Sequence, residues 1–128
     1  MEPISIKGTS ETPKIILDKE QGAFIFEGSS LPENARVFYH EVLEWLDEYA
    51  RAPNNKTTVH MRFNYVNTAS TKIIMMIFER FELIHKENND IKIIWYYEND
   101  DEEILEMGEE FQSIINVPME FEVLTTPE

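Results

Sequence analysis

The sequence predicts an α/β fold, a mixed and mainly parallel sheet of about five strands with helices packed on it, in the order β-β-α-β-α-β-α-β. Three observations predict it. Runs of period-two alternation, such as Val59, Met61, Phe63 and Tyr65 between His60, Arg62 and Asn64, are interleaved with runs of helical period. Two short apolar runs near the start are joined by a link containing Gly22, the pattern of an antiparallel hairpin. The 128 residues, 42% of them apolar, suffice for one packed core and not for two, so residues 1–128 form a single domain.

Residues 1–13 are polar with two prolines and are expected to wrap loosely before the fold begins. Lys14–Asp18 and Ala23–Glu27 make the hairpin. Ser29 and Ser30 can cap a helix, and Pro32 suits its first turn. That helix is expected from about Pro32 to Arg51, with Phe38, Val42, Trp45, Leu46 and Tyr49 on one face. Lys56–Tyr65 alternates as a strand. A second helix runs to about Lys86 and is apolar over more than one face, so it is mostly buried or shows one side to a partner. Asn88-Asn89-Asp90 ends it. Ile91–Tyr97 is nearly continuous in apolar residues, the pattern of a central strand covered on both faces. Asp100–Ile115 is the third helix. Val117–Leu124 alternates as a last strand, with Pro118 suiting an edge. Residues 125–128 are a loose tail.

The charge is lopsided, with 25 acidic residues against 11 basic, formally −14. Such a surface repels nucleic acid and anionic membranes, and neither is an expected partner. The absence of cysteine removes disulfides and thiol chemistry and fits a reducing compartment. Met1–Lys7 has no apolar signal region, and the longest apolar run, Ile73–Phe78, is far short of the roughly 20 residues that span a bilayer. The expected localisation is cytoplasmic.

Catalytic motifs are missing. His40, His60 and His85 fall on three separate elements without metal-ligand spacing, so neither a metal nor a cofactor is expected. Glu98–Glu110 holds eight acids and no base and reads as a solvated helix face. No glycine-rich nucleotide loop and no nucleophile elbow occurs. What remains is the turn N-Y-V-N-T-A-S-T-K, Asn64–Lys72, where a strand hands over to a helix. Thr68, Ser70 and Thr71 crowd it, with Asn67 or Thr68 as N-cap. A helix N-terminus exposes unpaired N–H groups and a partial positive charge, so the turn reads either as a cap or as an anion or phosphorylation site.

Four stretches together, G-S-S-L-P-E-N at Gly28–Asn34, F-Y-H-E-V-L-E-W-L at Phe38–Leu46, Y-V-N-T-A-S-T-K at Tyr65–Lys72 and I-I-W-Y-Y at Ile93–Tyr97, resemble the SiaC family of bacterial regulatory phosphoproteins. The element order is also that of the anti-sigma-factor-antagonist (STAS) fold. The resemblance implies a protein without catalytic activity, switched by a serine/threonine kinase and a PP2C-type phosphatase. It implies that the unphosphorylated form binds and activates a diguanylate cyclase, with consequences for cyclic di-GMP signalling. The phospho-acceptor it implies is Thr68, with Ser70 as backup. Ala69 stands where some relatives carry serine.

Asn67, Ala69, Ser70, Thr71 and Lys72 are then expected at the partner interface, with Lys72 placed at i+4 to neutralise a phosphate on Thr68. Ser30, Pro32, Glu33 and Asn34 form a second strand-to-helix turn at the same sheet edge and are expected to flank it. Two alternatives share the sequence. One is an anti-sigma-factor antagonist acting on an anti-sigma kinase. The other is an enzyme or ligand-binding domain, with a site assembled from Glu33, His60 and Arg62.

Overall fold

The computed structural model describes residues 1–87 and 89–124. Nine elements follow in order: β1 (Ile4–Ile6), β2 (Lys14–Asp18), β3 (Ala23–Ser30), α1 (Ala35–Tyr49), β4 (Lys56–Val66), α2 (Thr68–Lys86), β5 (Asp90–Tyr97), α3 (Glu102–Ile114) and β6 (Met119–Val123). The six strands form one sheet in chain order. β1, β2 and β3 pair antiparallel, and β3 through β6 pair parallel. The mixed, mainly parallel sheet read from the sequence is present, with one strand more than expected.

The added strand is β1. Residues 1–13 were expected to be loose, but Ile4 and Ile6 pair opposite Leu17 and Ile15 and pack against the core. The expected tail at 125–128 and one residue of the expected helix breaker, Asn88, lie outside the described residues.

Parallel strands in chain order with right-handed crossovers place α1, α2 and α3 on the same face of the sheet. The core lies there: Leu17, Phe26, Met61, Phe63, Ile93 and Trp95 are at most 1% exposed and join the helices in one cluster. α2 is the middle helix. Its Phe78 meets Phe111 of α3 edge-on at 4.9 Å, and its Arg80 reaches Asp47 of α1 at 3.2 Å. Neighbours on both flanks explain why its apolar residues cover so much of its circumference. β5 is buried on both faces, as its apolar run implied, but helices cover only one of them. Its Ile94 and Tyr96 point away from the core and are shielded by side chains of neighbouring strands, with Arg62 lying 4.4 Å over the Tyr96 ring.

One irregularity decides how β4 meets α2. Gly28 pairs with Phe63 and Ser29 pairs with Tyr65, so Asn64 is an extra residue in β4. Gly28 sits at φ 114°, a left-handed conformation that glycine adopts without strain. An extra residue reverses which face the next side chain meets. Tyr65, expected inside by alternation, is therefore 51% exposed, while Val66 is buried. The Ser29 hydroxyl donates to Asn64 Oδ1 at 2.6 Å and pins the bulge.

Candidate functional site

The carboxyl ends of β3, β4 and β5 lie on one sheet edge because these strands are parallel. There the chain enters α1, α2 and α3. Each helix is capped by the residue before it: Asn34 accepts from Val37 N–H, Asn67 from Ser70 N–H at 2.8 Å, and Asp101 from Ile104 N–H. Asn67 is thus the N-cap of α2, and Thr68 is its first helical residue. The cap of α1 is Asn34 rather than Ser29 or Ser30, which still belong to β3.

The three hydroxyls of the α2 turn have different fates. Thr71 Oγ1 donates to the Asn67 carbonyl at 3.0 Å. Ser70 is fully buried and accepts from the Ser30 hydroxyl at 2.8 Å. Ser30 is also fully buried and shares a 2.6 Å hydrogen bond with the Tyr39 hydroxyl. Thr68 is exposed, and among the described residues its hydroxyl makes no hydrogen bond. The expectation that Ser70 serves as backup acceptor runs against its burial, since a kinase must reach the hydroxyl oxygen. Ser30, expected at the interface, is likewise an internal residue, and Pro32 is buried. Glu33, Asn34, Ala69 and Lys72 are exposed at the sheet edge.

The buried hydroxyls clamp the turn from below. The Ser30 carbonyl accepts from the Asn67 N–H at 2.9 Å, so Ser30 holds both the cap and the first helical turn of α2. Burial pushes the Tyr39 phenol up to about 12, against the opposing pull of its hydrogen bond with Ser30. Tyr39 therefore stays a neutral hydroxyl at ordinary pH.

Thr68 stands between two clefts. One, of about 380 Å³, runs between the starts of α1 and α2, over Ala35, Ala69, Ile73 and Met76, with Glu33, Arg36 and Lys72 at its sides. The other, of about 520 Å³, lies between α2 and α3 and is lined by Thr68, Thr71 and Lys72 facing Glu103, Glu106 and Glu110. Arg36 was not singled out in the sequence, Met76 counted only as part of the apolar run of α2, and the α3 acids were read only as a solvated helix face. The helical spacing of Lys72 and Met76 was a usable signal, whereas the approach of α1 and α3 to α2 was not.

Glu33, His60 and Arg62 share no cleft. Glu33 lies at the sheet edge, whereas His60 and Arg62 project from β4 on the face away from the helices and meet the Tyr96 hydroxyl at 2.8 and 3.4 Å. The composite catalytic site considered from the sequence is therefore not assembled. Among the described residues, no group of three or more histidines and carboxylates is arranged to hold a metal, and no helix is long and apolar enough to cross a membrane.

A family model described as SiaC family regulatory phosphoprotein matches residues 6–124. The chain belongs to the SiaC family. It is 29% identical over 118 residues, covering 92% of this chain and 94% of the relative, to an uncharacterized protein of Pseudomonas aeruginosa strain UCBPP-PA14. It is also similar to the crystal structure of apo-SiaC from Pseudomonas aeruginosa, with a TM-score of 0.86 and 28% identity over 95% of this chain and 99% of that one. A further similar chain comes from the crystal structure of the diguanylate cyclase SiaD in complex with its activator SiaC, also from Pseudomonas aeruginosa. That match has a TM-score of 0.87 and 28% identity over 94% of this chain and 99% of that one. Membership of the SiaC family makes the protein regulatory.

Proposed function

We propose that the protein is a non-enzymatic phosphoprotein switch acting in the cytoplasm. A serine/threonine kinase phosphorylates Thr68, a PP2C-type phosphatase reverses this, and the unphosphorylated form binds and controls a diguanylate cyclase. The observation that carries the reading is the sorting of the three hydroxyls. Ser70 is buried and Thr71 is bonded to its own helix, which leaves Thr68 exposed in the first turn of α2. The cyclase is the partner named for the similar SiaC of Pseudomonas aeruginosa.

Phosphorylation adds about −1.5 to −2 charges at neutral pH, which a helix N-terminus tolerates through its dipole and free N–H groups. The fold therefore survives modification. A partner that buries this turn must instead desolvate a dianion, at a cost of several kcal/mol unless a cation compensates. Binding is lost without a large conformational change.

The test is to incubate the protein with ATP and the kinase of its own organism and to locate the phosphate by mass spectrometry. Wild type should be labelled on Thr68 and Thr68→Ala should stay unlabelled. Equal labelling of both proteins would sink the assignment. Cyclic di-GMP output from the cyclase should rise with unmodified protein and not with the phosphorylated form.

A further inference from the structure

We infer that the α1–α2 cleft beside Thr68 docks an amphipathic helix of the partner that presents carboxylates to Arg36 and Lys72. The inference rests on the reading that the unphosphorylated form is the one that binds. The protein has only 11 basic residues against 25 acidic. Two of the 11 converge on this cleft, and neither is in an ion pair among the described residues. Between them the floor is apolar, made by Ala35, Ala69, Ile73 and Met76, and Glu33 is the acid at the rim, so the two cations outnumber it. An apolar trough between two helix starts, with cations at its sides, complements a helix carrying one apolar stripe beside acidic residues.

The cleft on the other side of Thr68 faces Glu103, Glu106 and Glu110 and would suit a basic partner. The sign of the switch chooses between them. A phosphate at Thr68 adds negative charge, which strengthens the attraction of a basic helix and weakens that of an acidic one. Only the acidic helix makes phosphorylation an off-switch. Lys72 lines both clefts and lies one helical turn after Thr68, so a phosphate there draws on the cation that the partner's carboxylate uses. The added charge thus repels the partner and also occupies one of its two anchors.

The experiment pans a display library of helical peptides, unbiased in charge, against the unphosphorylated protein. Winners should carry Asp or Glu beside an apolar stripe and should shift the NMR signals of Ala69, Ile73 and Met76. Their affinity should fall about tenfold in the Arg36→Glu, Lys72→Glu double variant, while Lys86→Glu, a single charge reversal elsewhere on α2, leaves it unaltered. Basic winners, shifts confined to Glu103, Glu106 and Glu110, or no winners at all would overturn the inference. The same winners are then titrated against protein phosphorylated on Thr68. Lost binding supports the cleft and the gate together. Retained binding that is still sensitive to the double reversal upholds the cleft and overturns the gating by Thr68.

Discussion

The hydroxyl of Ser30, the last residue of β3, donates to the hydroxyl of Ser70 in the first turn of α2 across 2.8 Å, with both side chains fully buried. A buried hydroxyl that loses its partner costs about 1–3 kcal/mol, whereas exposed substitutions away from special features stay within about 0.5. Ser70→Ala is therefore expected to lower stability in urea denaturation by about 1–3 kcal/mol. Thr68→Ala, two residues earlier and exposed, should lie within about 0.5 kcal/mol of wild type. The opposite ranking would place the Ser70 hydroxyl at the surface and reopen its role as an acceptor.

The bulge at Asn64 separates two aromatic residues that alternation alone treats alike. Phe63 is 1% exposed, and Tyr65 is 51% exposed. Phe63→Ala should cost about 3–5 kcal/mol through lost burial and a cavity. Tyr65→Ala should cost well under half of that, since the ring already meets water. Comparable losses in chemical denaturation would mean that β4 continues without a bulge.

Gly108 of α3 faces the Trp95 indole, whose Nε1–H donates to the Ile104 carbonyl at 2.9 Å. A methyl at position 108 would press into that ring and come within 2.8 Å of the Phe121 ring. Overpacking of this kind typically costs about 1–3 kcal/mol, which outweighs the ~1 kcal/mol gained in helix propensity. Gly108→Ala should therefore lower the melting temperature and change the Trp95 fluorescence. A melting temperature above wild type would show that α3 stands clear of β5.

His60 lies on the sheet face away from the helices, with Nδ1 2.8 Å from the Tyr96 hydroxyl. Burial lowers its pKa below 6.5, the cations Arg62 and Lys92 lower it further, and Glu122 opposes them. The folded protein therefore disfavours the imidazolium, while the unfolded chain takes a proton at about 6.5. The stability His60 contributes is complete above about 6.5 and is lost as pH falls through its lowered folded value. Melting temperatures followed from about pH 7.5 down to 5 should fall less in His60→Gln than in wild type. Identical slopes would show that His60 is not linked to folding.

Much of this molecule was legible because local patterning and tertiary packing agree. Asn67 precedes the apolar run of α2 and caps it, and Val59, Met61 and Phe63 alternate into the core as their spacing demands. β1 escaped because the I-S-I of Ile4–Ile6 is too short to stand out from polar surroundings, and only pairing with β2 makes it a strand. Tyr65 was misplaced because period two holds only while the ladder is regular, and one extra residue is invisible to a count of apolar positions. Ser29 and Ser30 read as cap residues, yet each side chain bonds across the sheet edge, to Asn64 and to Ser70.

By itself the sequence determined the α/β class, the strand-to-helix turn at Asn67–Lys72, and a strongly acidic net charge. These follow from periodicity, capping chemistry and charge, which are properties of neighbouring residues. Only the tertiary structure decided which hydroxyl of the turn faces solvent. That depends on Ser30, 40 residues before Ser70, reaching it through the parallel pairing of β3 and β4. The same packing set Arg36 of α1 beside Lys72 of α2 and the acids of α3 on the far side of Thr68. No local pattern encodes such proximity, because it arises when separate helices are laid on a common sheet.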